Sequence, residues 1–136
     1  MKYSKLIIYS DGGARGNPGP SGIGAVIYDE EKNIVHEISE YIGETTNNQA
    51  EYRAVIAAIE KAKDFTCEEL NFFLDSELVV KQLNGQYKVK NEGLAPLFVK
   101  IHNARQSFRK VTFCHVRREY NKEADALANR AMDRRS

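Results

Sequence analysis

The sequence predicts an α/β domain built on a mixed sheet, and three observations carry that prediction. The first third of the chain holds three strand-like apolar runs separated by turn signals, the pattern of neighbouring antiparallel strands. A helical stripe follows, and beyond it strand-like and helix-like segments alternate, as βα units do. At 136 residues the chain reads as one domain, 1–136, large enough to bury a real core.

Each element has its own signal. Lys5–Tyr9 is an apolar, β-branched run suited to a strand buried on both faces. A Gly/Pro-rich loop is expected from Gly12 to Gly22, centred on Asn17-Pro18-Gly19-Pro20. Gly24–Tyr28 and Ile34–Ile42 read as two more strands joined by the polar turn Asp29–Asn33. Asn47 or Asn48 is expected to cap a helix reaching about Lys63, whose positions 51, 55, 58, 59 and 62 form one stripe. Leu70–Leu74 is another strand, and Ser76 is placed to cap a short helix over Glu77–Leu83. After the polar loop Asn84–Gly93, a helical pattern covers Leu94–Phe108, Val111–Val116 is the last strand and Asn121–Met132 the last helix.

A 42% hydrophobic and 29% charged composition is that of an ordinary globular protein. No window approaches the ~18 apolar residues of a membrane span, and Met1–Leu6 does not open a secretory signal. Cys67 and Cys114 lack paired spacing, so neither a zinc site nor a disulfide framework is expected, and a reducing, cytoplasmic setting is. The net charge of +1 hides a split. Met1–Ser76 has 7 basic and 13 acidic residues, net −6, while Glu77–Ser136 has 13 and 6, net +7. An acidic pocket beside a basic surface fits this split; two mixed surfaces without a partner fit it equally well.

Four acids stand in unusual places. The strands Leu6–Ser10 and Leu70–Leu74 run into Asp11 and Asp75, and in open α/β sheets ligands gather at the carboxyl ends of strands. Singly, an aspartate at a strand end is more often a turn-former or cap. Glu51 shares a helical face with Val55, Ala58, Ile59 and Ala62, so it points toward the sheet rather than water. The helix dipole explains an acid near a helix start, but not one on the apolar stripe. Asp125 repeats the pattern beside Ala128 and Met132, on a face that half-exposure would also explain. Converging carboxylates repel, and a divalent cation relieves the conflict. Oxygen ligands alone favour Mg²⁺ or Mn²⁺ over zinc.

The run Tyr9-Ser10-Asp11-Gly12-Gly13-Ala14-Arg15-Gly16-Asn17-Pro18-Gly19-Pro20 resembles the opening motif of type 1 ribonuclease H. Three further segments match that family in order: Thr45-Thr46-Asn47-Asn48-Gln49-Ala50-Glu51, Asp75-Ser76, and Asn121-Lys122-Glu123-Ala124-Asp125. The Gly12–Gly19 loop lacks the Gly-Lys-Ser/Thr of a P-loop, and Gly22-Ile23-Gly24 lacks the third glycine of a dinucleotide fingerprint. The resemblance implies a ribonuclease H-like fold, a mixed five-stranded sheet flanked by helices with the Asp11 strand central beside the Asp75 strand. It implies hydrolysis of the RNA strand of RNA–DNA hybrids by a two-metal-ion mechanism, leaving 5′-phosphate and 3′-hydroxyl ends. Mg²⁺ is the implied metal, with Mn²⁺ as substitute, and two ions bind with substrate. By the same resemblance, Asp11 bridges both metals, Glu51 and Asp75 take one side each, and Asp125 is the loosest ligand. Gly12, Gly13, Asn17 and Asn48 match residues that track the hybrid minor groove and its 2′-hydroxyls, and Thr46 and Asn47 match a grip on a DNA-strand phosphate.

The resemblance also has departures. Many bacterial members carry a histidine in a mobile loop before the last helix. His115 precedes Asp125 by ten residues, a spacing that fits, yet Arg117-Arg118-Glu119-Tyr120 is a shorter loop. The other reading is a histidine that ends the last strand. The expected type is a short form without a hybrid-binding domain or long basic protrusion, similar to archaeal-type members, some of which tolerate double-stranded RNA. Asn84–Gly93, with Tyr87, Lys88 and Lys90, is either a reduced substrate contact or a solvated loop. The expected partner is an RNA–DNA hybrid, with no membrane, and the expected state a monomer. The competing readings are broader duplex activity including double-stranded RNA, a non-catalytic hybrid-binding module, and a superfamily enzyme acting on DNA junctions or as an exonuclease.

Overall fold

Alternation along the strands decides how the sheet is clothed. A computed structural model describes residues 2–135, so Met1 and Ser136 of the expected 1–136 domain lie outside the described residues. Five strands, β1 (Lys2–Ala14), β2 (Gly19–Tyr28), β3 (Ile34–Thr45), β4 (Thr66–Leu74) and β5 (Lys110–His115), form one mixed sheet in the order β3-β2-β1-β4-β5. Neighbours β1, β2 and β3 run antiparallel, whereas β1–β4 and β4–β5 pair in parallel. The Asp11 strand is therefore central and beside the Asp75 strand, as the resemblance implies.

Leu6 and Ile8 of β1, Leu70, Phe72 and Leu74 of β4, and Val111 and Phe113 of β5 alternate into one core. The stripe of helix α1 (Asn47–Ala62) covers them, with Val55, Ala58, Ile59 and Ala62 fully buried. Helix α2 (Glu77–Leu83) packs on β5, and helix α3 (Ala95–Ala104) on α1. The Tyr52 hydroxyl donates to Gln82 Oε1 at 2.8 Å and ties α1 to α2. Helix α4 (Lys122–Arg134) lies on the other face, against β2 and β3. On β2, Ile23, Ala25 and Ile27 enter the α1 core, while Gly22 and Gly24 face α4.

The structure departs from the sequence expectation at several ends. The first two strands are longer than expected, because Gly12, Gly13 and Ala14 continue the ladder opposite Ile23, Gly22 and Ser21. The loop expected over Gly12–Gly22 contracts to residues 15–18 between β1 and β2. The cap of α1 is Thr46, whose hydroxyl accepts from Gln49 N at 3.2 Å, not Asn47 or Asn48. Asn47 Oδ1 is instead taken by the Ala14 N–H at 2.8 Å. Ser76 caps α2 as expected, accepting from Val79 N at 3.3 Å. The helix expected to reach Phe108 stops at Ala104 and tightens into a 3-10 turn over Arg105–Ser107. There the Arg105 guanidinium donates to the carbonyls of Leu83 and Val111 and fixes the approach to β5.

The close seat of α4 on β2 depends on glycine. A Cβ at Gly24 would lie 2.2 Å from the Ala124 carbonyl oxygen and 2.6 Å from Ala128 N, both backbone atoms that cannot rotate away. Gly24→Ala is expected to lower stability by about 1–3 kcal/mol, as overpacking does. Urea unfolding with unchanged m-value checks this; an alanine variant as stable as its parent would contradict the packing.

Candidate active site

The site begins where parallel pairing stops. The β1–β4 ladder ends at Tyr9↔Phe73, and beyond it β4 yields Asp75 one residue after its last strand position. Asp11 is not terminal, as expected from sequence, but lies inside β1 opposite Gly24, because β2 carries the strand on to Ala14. Its place at the end of the parallel ladder is the one the expectation required.

Glu51 arrives from α1. A Cβ on Gly12 would fall 2.3 Å from the Ala50 carbonyl carbon, so only a glycine lets α1 approach β1 this closely. The helix thus delivers Glu51 buried beside Asp11, and carboxylate oxygens of Asp11, Glu51 and Asp75 all lie within 4.8 Å of one another. Asp125, in the first turn of α4, stands outside that trio but is near enough to help raise the Asp11 carboxyl, and it lines the same cleft. The cleft has a volume of about 650 Å³, and Asn47, Asn48, Arg15 and Arg118 line it with the acids.

Crowding shows in the acidities. Burial and then the Asp75 charge push the Asp11 carboxyl from its ordinary 3.8 up to about 8; Asp125 adds to the rise and the Glu51 hydrogen bond opposes it. Glu51 is pushed well above its ordinary value, first by burial and then by the charges of Asp11 and Asp75, with the Gly12 backbone N–H opposing. Glu51 Oε2 is buried with no hydrogen-bond partner among the described residues. A divalent cation fits that orphaned oxygen and this all-oxygen set, the ligand chemistry of Mg²⁺ or Mn²⁺.

The other expected residues divide. Gly12, Gly13, Asn47 and Asn48 line the cleft. Asn17 and Thr46 do not: Asn17 Oδ1 accepts from Asn47 N at 3.0 Å, and Thr46 caps α1, so both oxygens brace the helix start. His115 is exposed, ends β5 opposite Leu74 and is absent from the cleft lining, which is the strand-end reading. Sequence reasoning missed Asn121, which is fully buried and whose Nδ2 donates to Ser10 O at 2.9 Å and to Asp75 Oδ2 at 3.1 Å. It also missed Arg118 at the cleft. The Asn121–Asp125 motif contained Asn121, but nothing in its spacing says which acceptors the amide meets.

Fold and cleft together define an α/β protein that gathers oxygen ligands at the carboxyl edge of its sheet. A family model described as reverse transcriptase-like matches residues 9–131. Ribonuclease HI of the archaeon Halobacterium salinarum is 43% identical over 125 residues, 92% of this chain and 63% of that protein. The crystal structure of RNase H1 from that organism has a TM-score of 0.93 at 41% identity, covering 96% of this chain and 99% of the other. LC11-RNase H1, crystallised in complex with an RNA/DNA hybrid, matches with a TM-score of 0.90 at 48% identity, covering 95% and 97%. A bifunctional protein of Mycobacterium tuberculosis is 42% identical over 130 residues, 95% of this chain; the chain spans 36% of that relative's length. The chain belongs to the type 1 ribonuclease H family.

The raised carboxyl pKa values make stability depend on pH. With a folded-state value near 8 and an ordinary unfolded one, Asp11 is protonated in the fold and ionised in the unfolded chain between those values. The folded state then binds more protons, so metal-free stability falls as pH rises through that window. Asp11→Asn is expected to show a smaller loss from about pH 5 to about pH 9 and to exceed the parent's stability at the upper end. Urea midpoints in chelator check this, and parallel pH curves for the two proteins would contradict it.

Proposed function

We propose that this chain, acting as a single domain over 1–136, is an endonuclease that hydrolyses the RNA strand of RNA–DNA hybrids and leaves 5′-phosphate and 3′-hydroxyl ends. The observation that carries the reading is the trio of carboxylate oxygens within 4.8 Å, two of whose carboxyls have pKa values pushed far above the ordinary. A structure that holds such groups together serves a cation, not its own stability. Asp11, Glu51, Asp75 and Asp125 would hold Mg²⁺, with Mn²⁺ as substitute. Bound there, a pair of divalent ions supplies Lewis-acid stabilisation of the attacking and departing oxygens of a phosphodiester.

The protein's own part is placement. Gly12 and Gly13 line the cleft with backbone alone, and Gly12 also lets α1 bring Glu51 to it. Asn48 lines the cleft, and its amide suits a 2′-hydroxyl, which both donates and accepts. Asn47 lines the cleft at the first turn of α1, and since its N–H is given to Asn17 and its Oδ1 accepts from Ala14, its side-chain Nδ2 is the donor it offers a phosphate. Thr46 and Asn17 act on the substrate by fixing that turn, since their oxygens are engaged within the protein. The hybrid complex formed by LC11-RNase H1, at 48% identity over nearly the whole chain, supports this class of substrate.

All four acids come from one chain, which supports action as a monomer, and the free thiols Cys67 and Cys114 support a reducing, cytoplasmic setting. Among the described residues, no helix is long and apolar enough to cross a membrane.

Matched RNA–DNA, RNA–RNA and DNA–DNA duplexes with Mg²⁺ or Mn²⁺ test the proposal. Cleavage of the hybrid's RNA strand is expected, and binding without cleavage in either metal would sink it. Asp11→Asn is expected to reduce cleavage to below roughly a thousandth of the parent rate. His115→Ala, at a residue outside the cleft lining, is expected to cost less than the ~10²-fold at which proton-transfer catalysis begins; a larger loss in rapid-quench kinetics would return His115 to the chemistry.

A further inference from the structure

We propose that Asn121 is the positioning residue that fixes the Asp75 carboxylate for cation binding, a reading that rests on the nuclease assignment above. Its contacts reach three of the four acid-bearing segments. The side-chain Nδ2 donates to Asp75 Oδ2 at 3.1 Å and to the carbonyl of Ser10, the residue before Asp11, at 2.9 Å. The Asn121 carbonyl accepts from Asp125 N at 3.1 Å. One fully buried residue therefore joins the end of β4, the centre of β1 and the start of α4.

The amide orientation is fixed by chemistry, because both neighbours of Nδ2 are acceptors and a flipped amide would set oxygen against oxygen. A helix-starting role does not explain the residue. Thr46 and Ser76 accept backbone N–H groups at the starts of α1 and α2, whereas Asn121 precedes α4 and makes no side-chain cap. Its Oδ1 is buried with no partner among the described residues, so the side chain forgoes the capping bond while its nitrogen serves the site. A neutral donor also suits the task. It holds Asp75 in one orientation without adding the positive charge that would compete with a cation, which a lysine or arginine in its place would do.

Asn121→Leu, close in shape and without a donor, tests the proposal with Mn²⁺ alone as titrant. Calorimetry on the substrate-free protein is expected to show roughly 10–100-fold weaker Mn²⁺ binding. The Mg²⁺ concentration for half-maximal hybrid cleavage should rise in step, with the KM for hybrid little changed. A folded Asn121→Leu protein that binds Mn²⁺ like its parent, even if less resistant to urea, overturns the proposal and leaves the nuclease reading standing. If that variant does not fold, nitrogen-15 spectra of the parent decide. The Asn121 side-chain amide signals should shift with Mg²⁺ at the same midpoint as the Asp75 carboxyl carbon, and signals that stay still overturn it. A parent protein that neither binds Mn²⁺ nor cleaves hybrid overturns both readings together.

Discussion

Carboxylate oxygens from three different elements held within 4.8 Å repel one another, and that repulsion is what the surrounding structure must withstand. Nothing local could impose it: Asp11 comes from a strand interior, Glu51 from a helix and Asp75 from the residue after another strand. The arrangement persists because each element is pinned by contacts far larger than the site. Leu6 and Ile8 on β1, Leu70, Phe72 and Leu74 on β4, and the stripe of α1 share one buried core, so the three acids cannot separate without opening it. Hydrophobic burial thus holds charge where electrostatics alone would not, and that burial together with the neighbouring charges pushes the Asp11 and Glu51 carboxyls above their ordinary values.

Glycine is the second device. Gly12 admits the backbone of α1 to β1, and Gly24, directly opposite Asp11 in the β1–β2 ladder, admits the backbone of α4 to β2. Two helices on opposite faces therefore come close at nearly one level of the sheet, bringing Glu51 from one side and Asp125 from the other. Gly12 looks like a loop residue because glycine is common in turns, yet here it serves, like Gly24, close approach within a ladder.

This explains which features were legible in the sequence. Glu51 could be read, since an acid on an otherwise apolar stripe contradicts its own helix. Asp75 and the Ser76 cap could be read because strand end and helix start adjoin in sequence. Asp11 was found, but its setting was misjudged: the pairing of Gly12–Ala14 comes from residues 21–23, and local turn preference yields to that distant ladder. The cap of α1 was displaced for a similar reason. Asn47 is a good cap by type, but its oxygen is taken by Ala14 across the fold, and Thr46 is left to do the work. Asn121 was beyond reach, because its significance lies entirely in which acceptors tertiary packing brings to it.

The divided charge of the chain acquires a physical sense from the same geometry. The acidic half, net −6, supplies Asp11, Glu51 and Asp75, and a surface of that sign would by itself repel a polyanion. The basic half, net +7, supplies Asp125 and Asn121 to the site and Arg118 to its wall. Arg15, the basic residue that the acidic half places at the cleft, is engaged by Asp133 at 2.6 Å and by the Asn129 carbonyl on α4. The positive charge left at the cleft is therefore that of Arg118, after Ser76, beside acids contributed mostly before it. Negative and positive charge at the cleft are thus carried chiefly by different stretches of chain, which the fold brings together beside α4.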